Sequence, residues 1–292
     1  KVRAHQTRLL DAQLSRIAAG MPFYKDFKGK PLAEWPVIDK TVVNDNFADL
    51  NVAGITAGEA RRAAEAALNG MPGGGRVKGF IAGMSTGTSG NRGLYVVSGR
   101  ERYRWLGTVL AKTVPDFPWV SHRIAVVMPG GAQLYSAAGE SRRLQFRFFD
   151  VRDGIAPHRA ALETFGPDIV VAPPKVLRLM AEAGFEITPC AFFSGGEVLD
   201  PLDGRAVRDR YGIGVRSIYQ ATEGFLGVAC EHGTMHLNED VMLFEREPVA
   251  GGEGAFNPVI TDLVRSSQAM VRYRMNDILV PGETCTCGSP LT

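Results

Sequence analysis

The chain has 292 residues, in which 33 lysines and arginines face 31 aspartates and glutamates, so its formal net charge is only +2. A charge this small is too weak to imply nucleic acid or an anionic membrane surface as a partner. No apolar run reaches the roughly 20 residues that span a bilayer, and no signal peptide is visible. We therefore expect a cytosolic protein without a nucleic-acid or membrane partner.

The first hundred residues predict helices followed by a pair of strands. Apolar residues at helical spacing predict a helix over residues 3–19, and an alanine-rich stretch predicts another over residues 57–68. A turn leads into a short helix within residues 41–50. Short apolar runs at residues 80–82 and 94–97 predict two strands on either side of a loop.

From residue 101 onward, strands and helices alternate. Helices are predicted over residues 101–114, 157–165, 175–183 and 200–211. Strands are predicted over residues 123–128, 144–149, 168–172, 191–193 and 215–219. This alternation indicates the α/β fold class with a parallel sheet. From residue 235 the pattern is one of strands and turns, so we expect residues 1–228 to be mainly α/β and residues 229–292 to be β-rich.

The most informative stretch is the loop between the first two predicted strands. It alternates hydroxyl side chains with glycines, in the order Ser85, Thr86, Gly87, Thr88, Ser89 and Gly90. Glycine lets the backbone approach a ligand closely, and successive N–H groups in such a turn form a nest for anions. The loop therefore suits a polyphosphate, although a plain surface hairpin is the alternative. It is not a Walker loop, because no Gly-Lys-Ser/Thr follows.

Three later stretches accompany this loop, and two of them follow predicted strands. They are residues 194–197 (Ser-Gly-Gly-Glu), 218–224 (Ile-Tyr-Gln-Ala-Thr-Glu-Gly) and 272–277 (Arg-Tyr-Arg-Met-Asn-Asp). In open α/β sheets, ligands bind beyond the carboxyl ends of the strands. Each stretch alone is a weak signal, but the four in this order together indicate a ligand site.

The same four motifs, in this order, resemble the adenylate-forming superfamily of acyl-CoA synthetases and peptide-synthetase adenylation domains. The nearest branch is similar to phenylacetate–CoA ligase and coenzyme F390 synthetase, whose N-terminal region resembles residues 22–24 and 35–40 here. The resemblance implies one large N-terminal AMP-binding domain over residues 1–292, with parallel sheets flanked by helices plus a smaller β-rich subdomain. It also implies a mobile C-terminal lid domain with a catalytic lysine, which would follow beyond Thr292.

The resemblance also implies roles for single residues. Ser85 to Gly90 would hold the β- and γ-phosphates of ATP. Gly196 and Glu197 would pack beside adenine, Tyr219 would stack near its ring, and Asp277 would bind the ribose hydroxyls. Thr222 and Glu223 match the catalytic pair, in which Thr222 would touch the α-phosphate and Glu223 would bind Mg²⁺, for which a carboxylate is a hard oxygen ligand.

Two departures from the family pattern matter. The lysine that many members carry at the end of the loop is Gly93 here, and Arg92 is the neighbouring cation that would serve instead. The usual glycine of the last motif is Asn276, a residue type that tolerates a left-handed backbone.

The activity that the resemblance implies is the ATP-dependent conversion of a carboxylic acid, aromatic or otherwise hydrophobic, to acyl-AMP and pyrophosphate. The acyl group would then pass to a thiol of coenzyme A or of a carrier protein. Two alternatives stay open: transfer of AMP to a hydroxyl, as in the F390 branch, and nucleotide binding without full catalysis. A homodimer is also left open.

The four cysteines suggest a separate metal site. Cys230-Glu231-His232 and Cys285-Thr286-Cys287 supply three thiols and one imidazole, which can close a tetrahedral structural zinc site. We therefore predict zinc on Cys230, His232, Cys285 and Cys287, with His236 as the alternative imidazole and reduced surface thiols as the alternative interpretation. Cys190 and Trp119 are expected in the core.

Overall fold

The computed structural model describes residues 2–85, 92–130, 143–252 and 254–292. The chain forms two compact units. The first comprises Lys1–Glu101, Thr222–Leu226 and Leu237–Thr292, and the second comprises Arg102–Ala221 and Gly227–His236. Within the described residues, no helix has both the length and the apolar character needed to cross a membrane. The predicted division at residue 228 concerns secondary-structure content and stays a prediction.

Three helices lie near the start of the first unit. They are α1 (Val2–Gly20), α2 (Lys40–Asp45) and α3 (Ala57–Leu68), with 3₁₀ turns over Pro22–Phe27 and Leu32–Glu34. Side chains fix where α2 and α3 begin. Asp39 accepts the N–H of Val42, while Thr56 and Glu59 form a reciprocal capping box. Such caps satisfy backbone donors that a helix cannot pair by itself.

Two small antiparallel sheets complete the first unit. One contains β1 (Arg76–Val77), β2 (Phe80–Met84) and β3 (Leu94–Val97), and the other contains β11 (Met242–Pro248), β12 (Phe256–Asp262) and β13 (Tyr273–Arg274). The segment before α2 pairs with β13, because Ile38 forms a parallel bridge with Tyr273. This bridge ties the N-terminal segment to the last predicted motif.

A cluster of aromatic side chains packs the same segment. Tyr24 and Trp35 are almost fully buried, and their ring centroids lie 4.9 Å apart. The Tyr24 hydroxyl donates to the carbonyl of Val271 at 3.3 Å, so this buried phenol has a partner. Burial raises the pKa of Tyr24, because a charged phenolate would lose its hydration there. The hydroxyl therefore stays a donor.

The largest sheet has seven strands in the order β10-β9-β8-β7-β6-β4-β5. Its members are β4 (His122–Met128), β5 (Leu144–Asp150), β6 (Ile169–Ala172), β7 (Ala191–Ser194), β8 (Val215–Ala221), β9 (Gly224–Ala229) and β10 (Met235–Leu237). The pairings among β4, β5, β6, β7 and β8 are all parallel. The sequence-based prediction of a parallel α/β sheet is therefore confirmed.

Four helices accompany these parallel strands in the sequence: α4 (Gly99–Thr113), α5 (Arg159–Phe165), α6 (Pro174–Glu182) and α7 (Pro201–Tyr211). Leu162, Val170 and Phe192 are among the core residues of this unit, each at most 1% exposed. Burying a side chain of this size contributes about 1.5–3 kcal/mol, so the apolar strands hold the sheet in place. Gly166 and Gly212 end α5 and α7 in the left-handed conformation.

Two expectations about the core are wrong. Cys190 is exposed, because it lies just before β7 begins, where its thiol donates to the Asp168 carbonyl at 3.1 Å. Trp119 is 84% exposed, because it belongs to the turn between α4 and β4. In this turn its backbone N–H donates to the Asp116 carbonyl at 2.8 Å. Hydrophobicity alone did not reveal that both positions fall outside the regular elements.

Candidate functional site

The predicted catalytic pair Thr222 and Glu223 lies in the turn between β8 and β9. The Thr222 hydroxyl donates to Oε2 of Glu223 at 2.7 Å, and Glu223 is only 7% exposed. Tyr273 also donates its hydroxyl to the Glu223 carboxylate. Burial and the neighbouring carboxylate raise the pKa of Tyr273, so the phenol keeps its proton. Two donors thus orient one buried carboxylate, which retains acceptor capacity for a cation.

A buried arginine forms hydrogen bonds to the backbone of this turn. Arg265 donates through Nη1 to the carbonyls of Thr222 and Glu223, at 3.2 and 3.3 Å. Through Nη2 it donates to Gln268 Oε1 at 2.8 Å and to the Val96 carbonyl at 3.4 Å. Burial lowers the pKa of Arg265, and the nearby acidic groups oppose that shift. The arginine therefore links the turn to β3.

A second carboxylate anchors the loop that carries this arginine. Glu101 accepts from the backbone N–H groups of Ser266 and Ser267 at 2.5 and 2.7 Å, and from the Ser267 hydroxyl. It also accepts from the Ser98 N–H and hydroxyl, both at 2.8 Å, which caps α4. Burial disfavours the charged form, but the hydrogen bonds outweigh it and hold the pKa at about 2.

The base of the predicted phosphate loop lies beside Thr222. Ser85 and Gly93 form a closed pair: the Ser85 N–H donates to the Gly93 carbonyl at 2.8 Å, and the Gly93 N–H donates to Ser85 Oγ at 2.9 Å. Arg92 places Nη1 3.5 Å from the Met84 sulfur. The predictions for Thr86, Gly87, Thr88, Ser89 and Gly90 lie outside the described residues.

The motif that contains Asp277 starts with an unusual backbone. Arg272 has a φ of 49°, in the left-handed region, whereas the backbone of Asn276 is not left-handed. The position of Arg272 is held by its side chain, which forms an ion pair with Glu245 at 2.9 Å and donates to the Trp35 carbonyl at 2.8 Å. Asp277 is exposed, and its carbonyl accepts from Asn257.

In the second unit, the residues predicted to contact adenine lie just after β7 and within β8. Gly196 follows β7 with a φ of 85°, which favours glycine. Glu197 is half-exposed, 3.9 Å from the Lys175 ammonium. Tyr219 lies within β8 and is partly buried.

An apolar cavity of about 190 Å³ opens in the same unit. Its lining includes Trp105, Leu110, Val126, Phe146, Phe193 and the backbone of Gly195 and Gly196. Cavities of roughly 150 Å³ with apolar walls accept benzene. This cavity therefore has the size and the character for an aromatic ring or a short hydrocarbon chain.

Four side chains that could hold a metal ion lie close together. The ligand atoms of Cys230, His236, Cys285 and Cys287 all lie within 4.8 Å of one another. Three thiols and one imidazole are a donor set that zinc prefers.

His232, the imidazole of the predicted ligand set, lies outside this group, and His236, the alternative imidazole, lies within it. It lies in the turn between β9 and β10, where its exposed ring is 3.9 Å from the Glu231 carboxylate. His236 lies on β10 and is 7% exposed. The turn directs position 232 to solvent, while the strand buries position 236.

Comparisons with known proteins give structures but no sequence relatives: no protein-family model and no curated protein matches this sequence. A structure of 2-hydroxyisobutyryl-CoA ligase in an open conformation, in complex with 2-HIB-AMP and CoA, is similar at a TM-score of 0.67 and 19% identity. That match covers 94% of this chain and 64% of the ligase. The ligase in its postadenylation state gives 0.65 and 18%, covering 94% and 62%. MbtA from Mycobacterium smegmatis gives 0.50 and 14%, covering 68% and 42%.

The likeness to these enzymes shows the fold. This chain has the adenylate-forming enzyme fold, and the predicted fold class is confirmed. It spans less than two thirds of the length of each ligase structure.

Proposed function

We propose that the chain activates a carboxylic acid with ATP, as an adenylate-forming ligase of the acid–thiol type. In this reaction an oxygen of the acid attacks the α-phosphorus of ATP. The bond from that phosphorus to the bridging oxygen breaks, and pyrophosphate leaves with the bond's electron pair. The observation that carries the proposal is the buried Glu223 carboxylate, oriented by Thr222 and Tyr273 next to the Ser85–Gly93 pair.

The donor set around Glu223 fits a hard divalent cation. Its carboxylate is buried and retains free acceptor positions after two hydrogen bonds, and oxygen ligands of this kind suit Mg²⁺. Glu223 would hold the metal, which when bound neutralises charge on the phosphates. Thr222 and Tyr273 fix the orientation of the carboxylate, and Arg265 fixes the backbone beneath it. Such positioning lowers the barrier without covalent chemistry by the protein.

The cavity supports the class of acid. Because its walls are apolar and its volume is about 190 Å³, it favours an acid with an aromatic ring or a short hydrocarbon chain over a polar one. The acceptor proposed is a thiol, of coenzyme A or of a carrier protein. The ligase structures in complex with CoA support this choice by the likeness of their fold.

For the assigned nucleotide contacts, we keep the roles given by the resemblance. Gly196, Glu197 and Tyr219 would contact adenine, and Asp277 would bind the ribose hydroxyls. The left-handed backbone of Gly196 favours glycine, and without a side chain this position leaves space beside the adenine.

We further propose a structural zinc site on Cys230, His236, Cys285 and Cys287. Four protein ligands would leave no open position for water, so the metal would stabilise the fold and take no part in the reaction.

The deciding experiment is acid-dependent exchange of labelled pyrophosphate into ATP, with Mg²⁺ and a panel of aromatic, aliphatic and polar acids. Exchange with the hydrophobic acids supports the proposal, and exchange with none of them contradicts it. Glu223→Gln should abolish exchange while keeping the melting temperature, because glutamine has the same shape but is a poor ligand for Mg²⁺. Glu34→Gln, at an exposed position, is the matched control.

A further inference from the structure

The backbone at Gly93 lies so close to Thr222 that a lysine at the end of the phosphate loop would displace the Thr222 hydroxyl. A Cβ placed on Gly93 would lie 2.9 Å from Thr222 Oγ1, closer than such atoms normally approach. Any side chain there would press against the hydroxyl that orients Glu223. The cation that a phosphate group needs must therefore come from another position.

Lys40 reaches the same point from α2. Its Cε lies 3.8 Å from the Cβ position at Gly93, as does Ser85 Oγ, and its ammonium is one bond further along. Among the residues that the structure describes, the Lys40 side chain has no hydrogen bond or ion pair, and it is partly buried. Arg92, the other nearby cation, instead places Nη1 beside the Met84 sulfur, back along β2.

The backbone before Lys40 is fixed relative to Glu223. Ile38 donates its N–H to the Arg272 carbonyl at 3.0 Å and accepts from the Arg274 N–H at 2.8 Å. Tyr273, between these two arginines, donates its hydroxyl to Glu223. The pairing of Ile38 with β13 therefore positions both Lys40 and Tyr273.

We propose that Lys40 is the phosphate-binding cation of this site and binds the pyrophosphate portion of ATP beside Ser85 and Thr222. The assignment rests on the proposed function. A lysine ammonium is a compact charge with three donors, suited to phosphate oxygens. It would stabilise the negative charge that develops on pyrophosphate as it leaves.

The test compares Lys40→Met, Lys40→Arg and the control Lys28→Met, an exposed lysine in the same unit. Calorimetry with Mg²⁺ measures the binding of ATP, inorganic pyrophosphate and AMP. Lys40→Met should weaken ATP and pyrophosphate about tenfold to a hundredfold, the effect of losing a hydrogen bond to a charged group, while AMP binding changes less than twofold. Lys40→Arg should restore part of the loss, and Lys28→Met should behave as wild type.

Equal affinities for ATP in wild type and Lys40→Met would overturn the assignment, as would equal losses for ATP and AMP, or a wild type that binds neither ATP nor pyrophosphate. Failure of the proposed function looks different. In that case Lys40 still controls binding of ATP and pyrophosphate, but no acid in the panel supports exchange.

Discussion

Tyr273 donates its hydroxyl to the carboxylate of Glu223, which joins β13 to the turn between β8 and β9. The two residues are fifty positions apart in the sequence, yet they share one buried hydrogen bond. Tyr273 acts on the site through Glu223, because its hydroxyl orients that carboxylate, and it is therefore a positioning residue. It makes the geometry of the Glu223 carboxylate, the proposed Mg²⁺ ligand, depend on the pairing of β13 with the N-terminal segment.

Tyr273→Phe should therefore weaken the response to Mg²⁺ more than it changes catalysis at saturating metal. Removing a hydrogen bond to a charged group costs about 1.5–3 kcal/mol, so the Mg²⁺ concentration for half-maximal exchange should rise about tenfold or more. Excess Mg²⁺ should restore most of the rate. The exposed Tyr103→Phe serves as control. If the Mg²⁺ dependence of the Tyr273 variant equals that of wild type, the residue does not position Glu223.

Glu101 should make stability depend on pH. Its pKa in the folded protein is about 2 against an ordinary value of 4.5, so its charged form stabilises the fold. That contribution, on the order of 3 kcal/mol, is complete above the ordinary pKa and is lost as the pH falls from about 4.5 towards 2. Glu101→Gln should lower the free energy of unfolding at pH 7 by about 2–3 kcal/mol, and less at pH 3.

Urea unfolding of wild type and Glu101→Gln at both pH values measures this difference. Glu65→Gln, at an exposed position of α3, is the matched control and should change little at either pH. A gap between wild type and Glu101→Gln that is as large at pH 3 as at pH 7 would show that the serine hydrogen bonds do not depend on the charge.

The fold was predictable from the sequence because its signals are local. Apolar runs such as residues 169–172 and caps such as Thr56 and Glu59 set strands and helices from neighbours within a few positions. The contact between Thr222 and Glu223 is local for the same reason, since the two residues are adjacent, whereas their catalytic roles come from the resemblance and stay a prediction. Arg265 was not, because its partners lie about 40 and 170 positions away.

The sequence alone does not decide whether His232 or His236 lies near the cysteines. His232 and His236 are both close to Cys230, and spacing alone does not separate them. What separates them is the turn between β9 and β10, which leaves one ring in solvent and buries the other. Similarly, nothing local links Lys40 to Gly93, which lies 53 positions later, because only the folded chain brings the two together.

Asp277→Ala should weaken ATP binding through the loss of the proposed contact with the ribose. A charge-assisted hydrogen bond of this kind is worth about 1.5–3 kcal/mol, so the dissociation constant should rise about tenfold to a hundredfold. AMP should lose affinity by the same factor, because it carries the same ribose. Calorimetry with both nucleotides measures this, with the exposed Asp11→Ala as control. Unchanged affinities would remove Asp277 from the site.

The metal proposal is tested by paired histidine variants. Protein purified without added metal should contain about one zinc per chain by elemental analysis. His236→Asn and Cys285→Ser should lower both the zinc content and the melting temperature, because coordination contributes to folding. His232→Asn should keep both, because its ring faces solvent beside Glu231.

Zinc should also be released at acid pH, since the thiols bind as thiolates. Zinc retained by His236→Asn but lost by His232→Asn would reverse the ligand assignment, and metal-free protein of undiminished stability would refute the site.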